Sequence, residues 1–265
     1  MAIKTPPPLK SHERELGEAM AAMVDLMSRI YQNQVLEALQ QRTINKFADA
    51  QAGNYASIFL GLSKKATRSL MKRFPDKRLD QLSRNILSRT DEYNKKQFYS
   101  AAEKAIGVNV AQAVASEGLS TTRNALFLET SQWAKKLRDE TLELYTAQSL
   151  RAMSLGKSID EIMSEFTGMH KKRRDHAKFT ARNQVANYNS MVTKARAQKL
   201  GISEALWITS MDERVRPCHQ VRHGKKFLLS TGLYSSCDGK TLLPGVDYQC
   251  RCTYEMIIPE ESGDE

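Results

Sequence analysis

The segment Trp207-Ile-Thr-Ser-Met-Asp212-Glu-Arg-Val-Arg216-Pro-Cys218-His219 opens the part of the chain that decides the fold. Every cysteine of the 265-residue sequence lies in this last fifth, and two histidines accompany them. The thiol and imidazole side chains are Cys218, His219, His223, Cys237, Cys250 and Cys252. Thiolates and imidazoles at short spacing are the usual ligands of zinc. Short β-like runs broken by glycines surround them, so we predict a small β-rich module held by a metal.

A structural zinc site needs four ligands that converge on the ion. Residues i and i+2 of a strand share a face, so the two cysteines of the Cys-Arg-Cys run can point at one ion. We expect the ligands to be Cys218, Cys237, Cys250 and Cys252, with His219 as the first substitute. A site of four thiolates would be closed and structural, whereas one that used both His219 and His223 could be open and catalytic. Free buried cysteines are the alternative.

No targeting or membrane signal is visible near the start of the chain. No apolar run follows Met1, and no stretch approaches the ~20 apolar residues that a membrane span needs. We therefore expect synthesis in a reducing cytoplasm, where structural disulfides are uncommon and a metal explains clustered cysteines better. The Pro-rich residues 1–12 are expected to be mobile or held by a partner.

The charge balance is basic, with 40 Lys and Arg residues against 30 Asp and Glu residues, a formal charge of +10. A basic surface favours nucleic acid or another polyanion, although a solvated surface is an equally simple explanation. The densest basic run predicts nucleic-acid contacts by Lys171, Lys172, Arg173 and Arg174. A second stretch, Lys64–Arg78, could line a nucleic-acid path but is more simply a solvated helix face.

The sequence predicts a mainly α protein with a small C-terminal α+β or β-rich Cys/His module stapled by zinc. Apolar residues at Leu16, Met20, Met23 and Met27 follow one helix face, and we expect this stripe to need a partner if the chain's own core does not cover it. Ser158 and Glu161 form a capping box that begins a helix. The expected domains are a helical region at 1–140, a second helical part at 141–205, the Cys/His module at 206–258 and an acidic tail at 259–265.

Residues 140–258 resemble the minor head protein family of tailed phages, the phage Mu protein F-like head-morphogenesis domain. The resemblance begins with a glycine turn at Lys199–Ile202 and ends with Pro244-Gly245 and the Cys250-Arg251-Cys252 signature. Between them lies an Asp-x-x-x-Arg-x-x-His-x-x-x-x-Gly run led by a tryptophan. Its positions in this sequence are Trp207, Asp212, Arg216, His219 and Gly224.

The resemblance implies a virion protein, present in few copies in the capsid near the portal vertex. It implies roles in head assembly and in packaging or delivery of DNA. The implied partners are the portal protein, the major capsid protein and packaged double-stranded DNA. We expect a structural protein rather than an enzyme, with nuclease activity as the alternative.

A metal-dependent nuclease is the alternative function. In that hypothesis His219 is the general base and Asp212 binds a divalent ion. The further carboxylates that a magnesium site usually has are missing from the run. The simpler interpretation is that Asp212 and Arg216 form an ion pair that orients the loop, and that Trp207 is a core residue rather than a platform for base stacking.

Overall fold

The structure is a computed structural model that describes residues 2–44, 53–107, 110 and 117–259. Most of the predicted acidic tail therefore lies outside the described residues. The helices are α1 (Lys10–Tyr31), α2 (Ala38–Ile44), α3 (Gly53–Arg73), α4 (Asp76–Ile106), α5 (Ser120–Ser154), α6 (Ile159–Lys199) and the short α7 (Pro217–Gln220). A π-helical segment, Gln32–Glu37, connects α1 to α2. The mainly α fold class with a small C-terminal β region is confirmed.

The strands are short and belong to two sheets. They are β1 (Ala2–Lys4), β2 (Glu204–Ile208), β3 (Lys226–Leu228), β4 (Leu233–Ser235), β5 (Lys240–Leu242) and β6 (Thr253–Ile257). The larger sheet is antiparallel with strand order β1-β6-β2-β3, and β4 pairs with β5 in a second sheet. The N-terminal segment was expected to be mobile or held by a partner. Its strand β1 instead belongs to the sheet, where Ile3 pairs with Met256 of β6.

Helix boundaries follow local chemistry where the sequence has clear signals. The capping box is present, since the backbone N–H of Glu161 donates to Ser158 Oγ at 3.3 Å. Gly201 ends α6 with a φ of 74°, and the N–H of Ile202 donates back to the carbonyl of Ala197 at 3.0 Å. Gly61 lies inside α3 and does not end the helix.

The described part of the chain forms two compact units, which we name unit 1 and unit 2. Unit 1 comprises Met1–Glu15, Arg84–Glu129 and Ala181–Glu265, and unit 2 comprises Leu16–Ser83 and Thr130–Thr180. The limits of these units do not coincide with the predicted domain boundaries at 140 and 205. The reason is that the N-terminal strand joins the C-terminal sheet and the long helices contribute residues to both units.

Each unit has its own apolar core. The core of unit 1 places Phe98 and Ala197 against sheet residues such as Ala205, Trp207 and Met256. The core of unit 2 is aromatic, with Tyr31, Phe59, Tyr145 and Phe166 fully or almost fully buried.

The predicted apolar stripe of α1 is also buried. Leu16, Met20 and Met27 have no exposed surface, and Met23 is 3% exposed. The stripe therefore does not need a partner to cover it. Among the described helices, none is apolar over a length that could cross a membrane.

Candidate metal centre

Three soft donor atoms converge in the sheet region of unit 1. The four-residue helix α7 buries His219, which is 3% exposed, while Cys250 and Cys252 lie just before β6. His219 Nδ1 is 3.5 Å from the Sγ atom of each cysteine. All three donor atoms lie within 4.8 Å of one another, so the group could hold a metal ion.

The distances fit zinc. A tetrahedral ion bound by sulfur at ~2.3 Å and by nitrogen at ~2.1 Å would place those two ligand atoms about 3.6 Å apart. Both observed sulfur-to-nitrogen distances are 3.5 Å. Among the residues that the structure describes, no fourth His, Cys, Asp or Glu joins the group. The protein therefore offers three ligands and leaves the fourth position to water or to another group.

Outer contacts hold the ligands in place. His219 Nε2 lies 3.3 Å from Asp247 Oδ2, so the ring can donate to the carboxylate while Nδ1 faces the thiols. Arg216 binds the same carboxylate. The backbone N–H of Gly245 donates to Cys250 Sγ at 3.4 Å. Hydrogen bonds of this kind fix the tautomer and orientation of metal-binding side chains.

The electrostatics favour one thiolate in the cluster. A hydrogen bond with Cys252 is the largest cause that lowers the pKa of Cys250 to about 5, and hydrogen bonds with His219 and the N–H of Gly245 add to it. The same contact with Cys250, followed by burial, raises the pKa of Cys252. The hydrogen bond with Cys250 raises the pKa of His219 against the opposing effect of burial. Binding of a metal by both sulfurs would therefore release the proton of Cys252.

The other two cysteines do not belong to the cluster. Cys218 and Cys237 form a disulfide, so the predicted set of four thiolates is wrong and His219 takes the place next to Cys250 and Cys252. Consecutive residues of a helix point about 100° apart, so Cys218 and His219 face different sides of α7. The disulfide also departs from the expectation that a metal explains all of the clustered cysteines better than a disulfide does. His223 also lies outside the cluster, since its Nδ1 accepts the N–H of Thr209 at 3.1 Å.

Arg222 is a key residue that sequence reasoning missed. It is fully buried, it donates to both carboxylate oxygens of Asp238 at 2.8 and 3.0 Å, and it lies over the ring of Trp207 at 5.4 Å. It also donates to the carbonyl oxygens of Cys218 and Lys240. No short-range pattern marks this arginine, because several of its partners lie 11 to 18 residues away, in β4, in β5 and in the turn between them.

The predicted ion pair between Asp212 and Arg216 is wrong, because both residues have other partners. Arg251 Nη1 donates to Asp212 Oδ2 at 2.7 Å, and this contact is the main cause that lowers the pKa of Asp212. Arg216 instead binds Asp247 and the carbonyl of Tyr248. The Cys-Arg-Cys arginine is thus tied to the loop that precedes α7, and the Asp212 carboxylate is already engaged.

Trp207 and Gly224 have structural positions. Trp207 is fully buried in the core of unit 1, and its ring meets the His219 ring edge to face at a centroid distance of 5.7 Å. Gly224 has a φ of 73°, which disfavours any side chain, and its N–H donates to the carbonyl of Trp207 at 2.8 Å.

The four basic residues predicted to contact nucleic acid lie in unit 2 and differ in their surroundings. Lys171 and Lys172 are exposed. Arg173 Nε donates to Thr141 Oγ1 at 3.0 Å, and Arg174 Nε donates to Asp25 Oδ2 at 3.2 Å. The two arginines therefore make contacts inside the protein, whereas the two lysines of this run are exposed.

A cleft of about 220 Å³ opens beside the cluster, within unit 1. The side chains of Cys250, Arg251 and Arg182 line it, together with Glu13 and the segment Pro6–Pro8. Burial raises the pKa of Glu13. The thiols of the cluster are thus next to a recess that contains both cationic and acidic groups.

Comparisons with known proteins give one family match and one relative. Residues 129–255, just under half of the chain, match the family model described as phage Mu protein F like protein. An uncharacterised protein of Haemophilus influenzae is 26% identical over 231 residues, which cover 85% of this chain and 49% of that protein. The chain thus spans about half the length of this curated relative. No solved structure matches the chain. The family match contains α6, α7 and all three residues of the cluster, and over residues 129–255 the chain is similar to the phage Mu protein F-like family.

Proposed function

We propose that this chain is a minor capsid protein of a tailed phage, bound near the portal vertex, where it aids head assembly and the packaging or delivery of DNA. The observation that carries the proposal is the family match over residues 129–255. The proposed partners are the portal protein, the major capsid protein and packaged double-stranded DNA. A structural role agrees with a site region whose charged side chains, such as Arg222 and Asp212, are tied to neighbouring elements.

Purified phage particles test this role. The chain should be present in mature particles at far fewer copies than the major capsid protein, and it should co-purify with portal protein when the two are coexpressed. Quantitative mass spectrometry of particles measures the copy ratio. Absence of the chain from particles would contradict the proposal.

We further propose that His219, Cys250 and Cys252 bind one zinc ion. The donor set and its spacing support this, and a bound ion would stabilise the folded state because the ligands converge only there. Elemental analysis of protein without an affinity tag should find about one zinc per chain. Cys250→Ser and Cys252→Ser should each lose the metal, whereas the matched double variant Cys218→Ser/Cys237→Ser should retain it. Equal metal content in all of these variants would contradict the assignment.

DNA contact by Lys171 and Lys172 remains part of the proposal, because both are exposed. Replacement of both by Ala should weaken binding to unrelated duplexes alike and reduce the salt dependence. Unchanged affinity would show that they form a solvated face.

A metal-dependent nuclease is the second candidate, favoured by one observation. The cluster supplies three ligands rather than four, and two of them line the cleft. Incubation of the protein with DNA and either zinc or magnesium separates the two functions. Cleavage that is lost in His219→Ala favours the enzyme, and binding without cleavage favours the structural role.

A further inference from the structure

We propose that one face of α3 binds the phosphate backbone of double-stranded DNA. We call the side chains Lys64, Lys65, Arg68 and Lys72 the α3 basic face. The inference rests on the proposed function, since it assigns a surface to the DNA contact of a head protein. The surface lies outside the part of the chain that matches the family model.

The charge of α3 is entirely of one sign. Its 21 residues, Gly53–Arg73, contain no Asp or Glu, and every member of the α3 basic face is exposed. Residues 64, 68 and 72 are one helical turn apart and follow one side of the helix, about 6 Å from one to the next. Position 65 lies about 100° around the helix from position 64 and borders the same side. The result is a strip of cations about 12 Å long.

The opposite side of the same helix is fixed in the core of unit 2. Phe59, Ala66 and Leu70 have no exposed surface. Ser63 is 3% exposed and forms a hydrogen bond with the hydroxyl of Tyr31 at 3.3 Å. The cations therefore stand on a rigid element, which reduces the entropy lost when a partner binds.

The basic side chains of α3 and several of those on α5 and α6 differ in whether they form ion pairs. On α5 and α6, basic side chains pair with carboxylates: Lys135 with Asp80, Lys136 with Glu140, Arg174 with Asp25, and Lys178 with Glu18. No ion pair joins a member of the α3 basic face to a carboxylate among the described residues. A polyanion can therefore bind this face without breaking existing ion pairs.

Gly61 adds an independent argument. It lies within α3 and is exposed, and a Cβ atom there would meet nothing within 4 Å among the described residues. Glycine inside a helix costs about 0.5–1 kcal/mol relative to alanine, so packing inside the protein does not account for it. Position 61 lies on the side of the helix that carries positions 64, 65, 68 and 72, since it precedes 64 and 65 by three and four residues. A glycine there lets the backbone of a partner come close to the helix.

Duplex DNA fits this surface better than a membrane or an acidic protein. An interfacial membrane helix exposes its apolar face, whereas the apolar face of α3 is buried. A duplex carries a negative charge about every 1.7 Å of its axis, so a strip of this length faces several phosphates at once. Contacts between Lys or Arg side chains and phosphate groups carry no information about the base sequence. The binding should therefore be independent of DNA sequence.

Duplex binding by the full chain tests the proposal. The variant Lys64→Gln/Lys65→Gln/Arg68→Gln/Lys72→Gln removes four charges while keeping good helix formers. Each phosphate contact contributes about 0.9 to the slope of log K against log salt, so loss of four contacts should reduce the magnitude of the slope by about 3.6 and the affinity at low salt by more than tenfold. The matched control removes four exposed lysines of unit 1, with the replacements Lys199→Gln, Lys225→Gln, Lys226→Gln and Lys240→Gln. The control should bind nearly as tightly as the wild type.

Several outcomes would overturn the proposal. Equal losses in the α3 variant and the control would show that only net charge matters. If only the variant Lys171→Gln/Lys172→Gln lost affinity for DNA, the DNA contact would be assigned to α6 instead of α3. Loss of portal binding with unchanged DNA binding would assign the face to an acidic protein. A wild-type chain that does not bind duplex DNA would overturn this proposal and leave the head-protein role to be judged by particle content. Because a glutamine variant could misfold, Lys64→Arg/Lys65→Arg/Lys72→Arg provides a second measurement and should bind with the wild-type slope.

Discussion

The sheet of unit 1 and the aromatic core of unit 2 are stabilised in different ways. The strands are three to five residues long, and the loops around them are joined by the Cys218–Cys237 disulfide and by Arg222 with Asp238. Unit 2 relies on ring packing, with Tyr145 and Phe166 at a centroid distance of 4.5 Å. Long helices bury enough apolar surface to be stable on packing alone, whereas short strands need links between loops. The two regions should therefore respond differently to the removal of apolar and of polar groups.

The largest effect is expected in unit 2. Phe166 is 2% exposed and stacks on Tyr31 with a centroid distance of 5.6 Å. Phe166→Ala should lower the free energy of unfolding by about 3–5 kcal/mol, because it removes buried surface and leaves a cavity. Urea titration measures the change, and Leu155→Ala, at a site that is 66% exposed, is the control. A loss below about 1 kcal/mol would show that the ring cluster is not the main source of stability.

The second prediction concerns the strand that the N-terminal segment adds to the sheet. Ile3 is 1% exposed in the core of unit 1, whereas the side chain of Lys4 is 85% exposed. Ile3→Ala should cost about 2–5 kcal/mol, and Lys4→Ala should stay within about 0.5 kcal/mol of the wild type. Urea titration of both variants measures the difference.

Truncation of residues 1–42 gives a stronger form of the same test. This truncation removes β1, which pairs with β6 in the sheet. The truncated chain should therefore lose order in the sheet as well. A fully folded sheet in the truncated chain would show that β1 is dispensable.

Local signals in the sequence predicted the helical part well. The turn at Gly201 and the capping residues Ser158 and Glu161 act over a few residues, so their chemistry is visible in the sequence. The continuation of α3 through Gly61 was missed, because burial of Phe59 and Leu70 outweighs a weak local propensity.

The sheet and the cluster depend on contacts between distant residues. Thr5 and Tyr254, for example, are 249 residues apart in sequence and are joined by a hydrogen bond. Three of the predicted metal-site residues were placed together, but the pairing of Cys218 with Cys237 depends on the direction in which α7 points each side chain. Spacing alone does not define that direction, so the sequence could not separate the disulfide cysteines, Cys218 and Cys237, from the three residues of the cluster.

The third prediction compares the two links between the loops of the sheet region. The disulfide closes a loop with a sequence separation of 19 residues. The chain-entropy treatment assigns about 3 kcal/mol to a loop of this size. Arg222 holds the same segments through Asp238 and the carbonyl of Cys218, so Cys218→Ser/Cys237→Ser should cost no more than this and leave the sheet folded. Urea titration under oxidising conditions measures the change.

A double-mutant cycle sharpens this comparison. If both links restrain the same loops, adding Asp238→Asn to the double cysteine variant should cost more than Asp238→Asn alone. Additive losses would show that the two links are independent. Complete unfolding of the double cysteine variant would show that the disulfide is the dominant link.

The smallest effect is expected at the start of α6, within unit 2, where the cap consists of exposed local hydrogen bonds. Ser158 and Glu161 satisfy each other's backbone N–H groups, with Ser158 N–H donating to Glu161 Oε2 at 2.7 Å. Ser158→Ala should cost about 1 kcal/mol, and Ser158→Asp should restore most of it because aspartate is also a good N-cap residue.

The backbone hydrogen bond from Ser158 lowers the pKa of Glu161 below its usual value. A carboxyl group whose folded pKa is lowered stabilises the protein above its unfolded pKa, and this contribution disappears as the pH falls through the folded pKa. The stability advantage of the wild type over Glu161→Gln should therefore be present at neutral pH and shrink under acid conditions. An advantage that did not change with pH would show that the carboxylate charge takes no part in the cap.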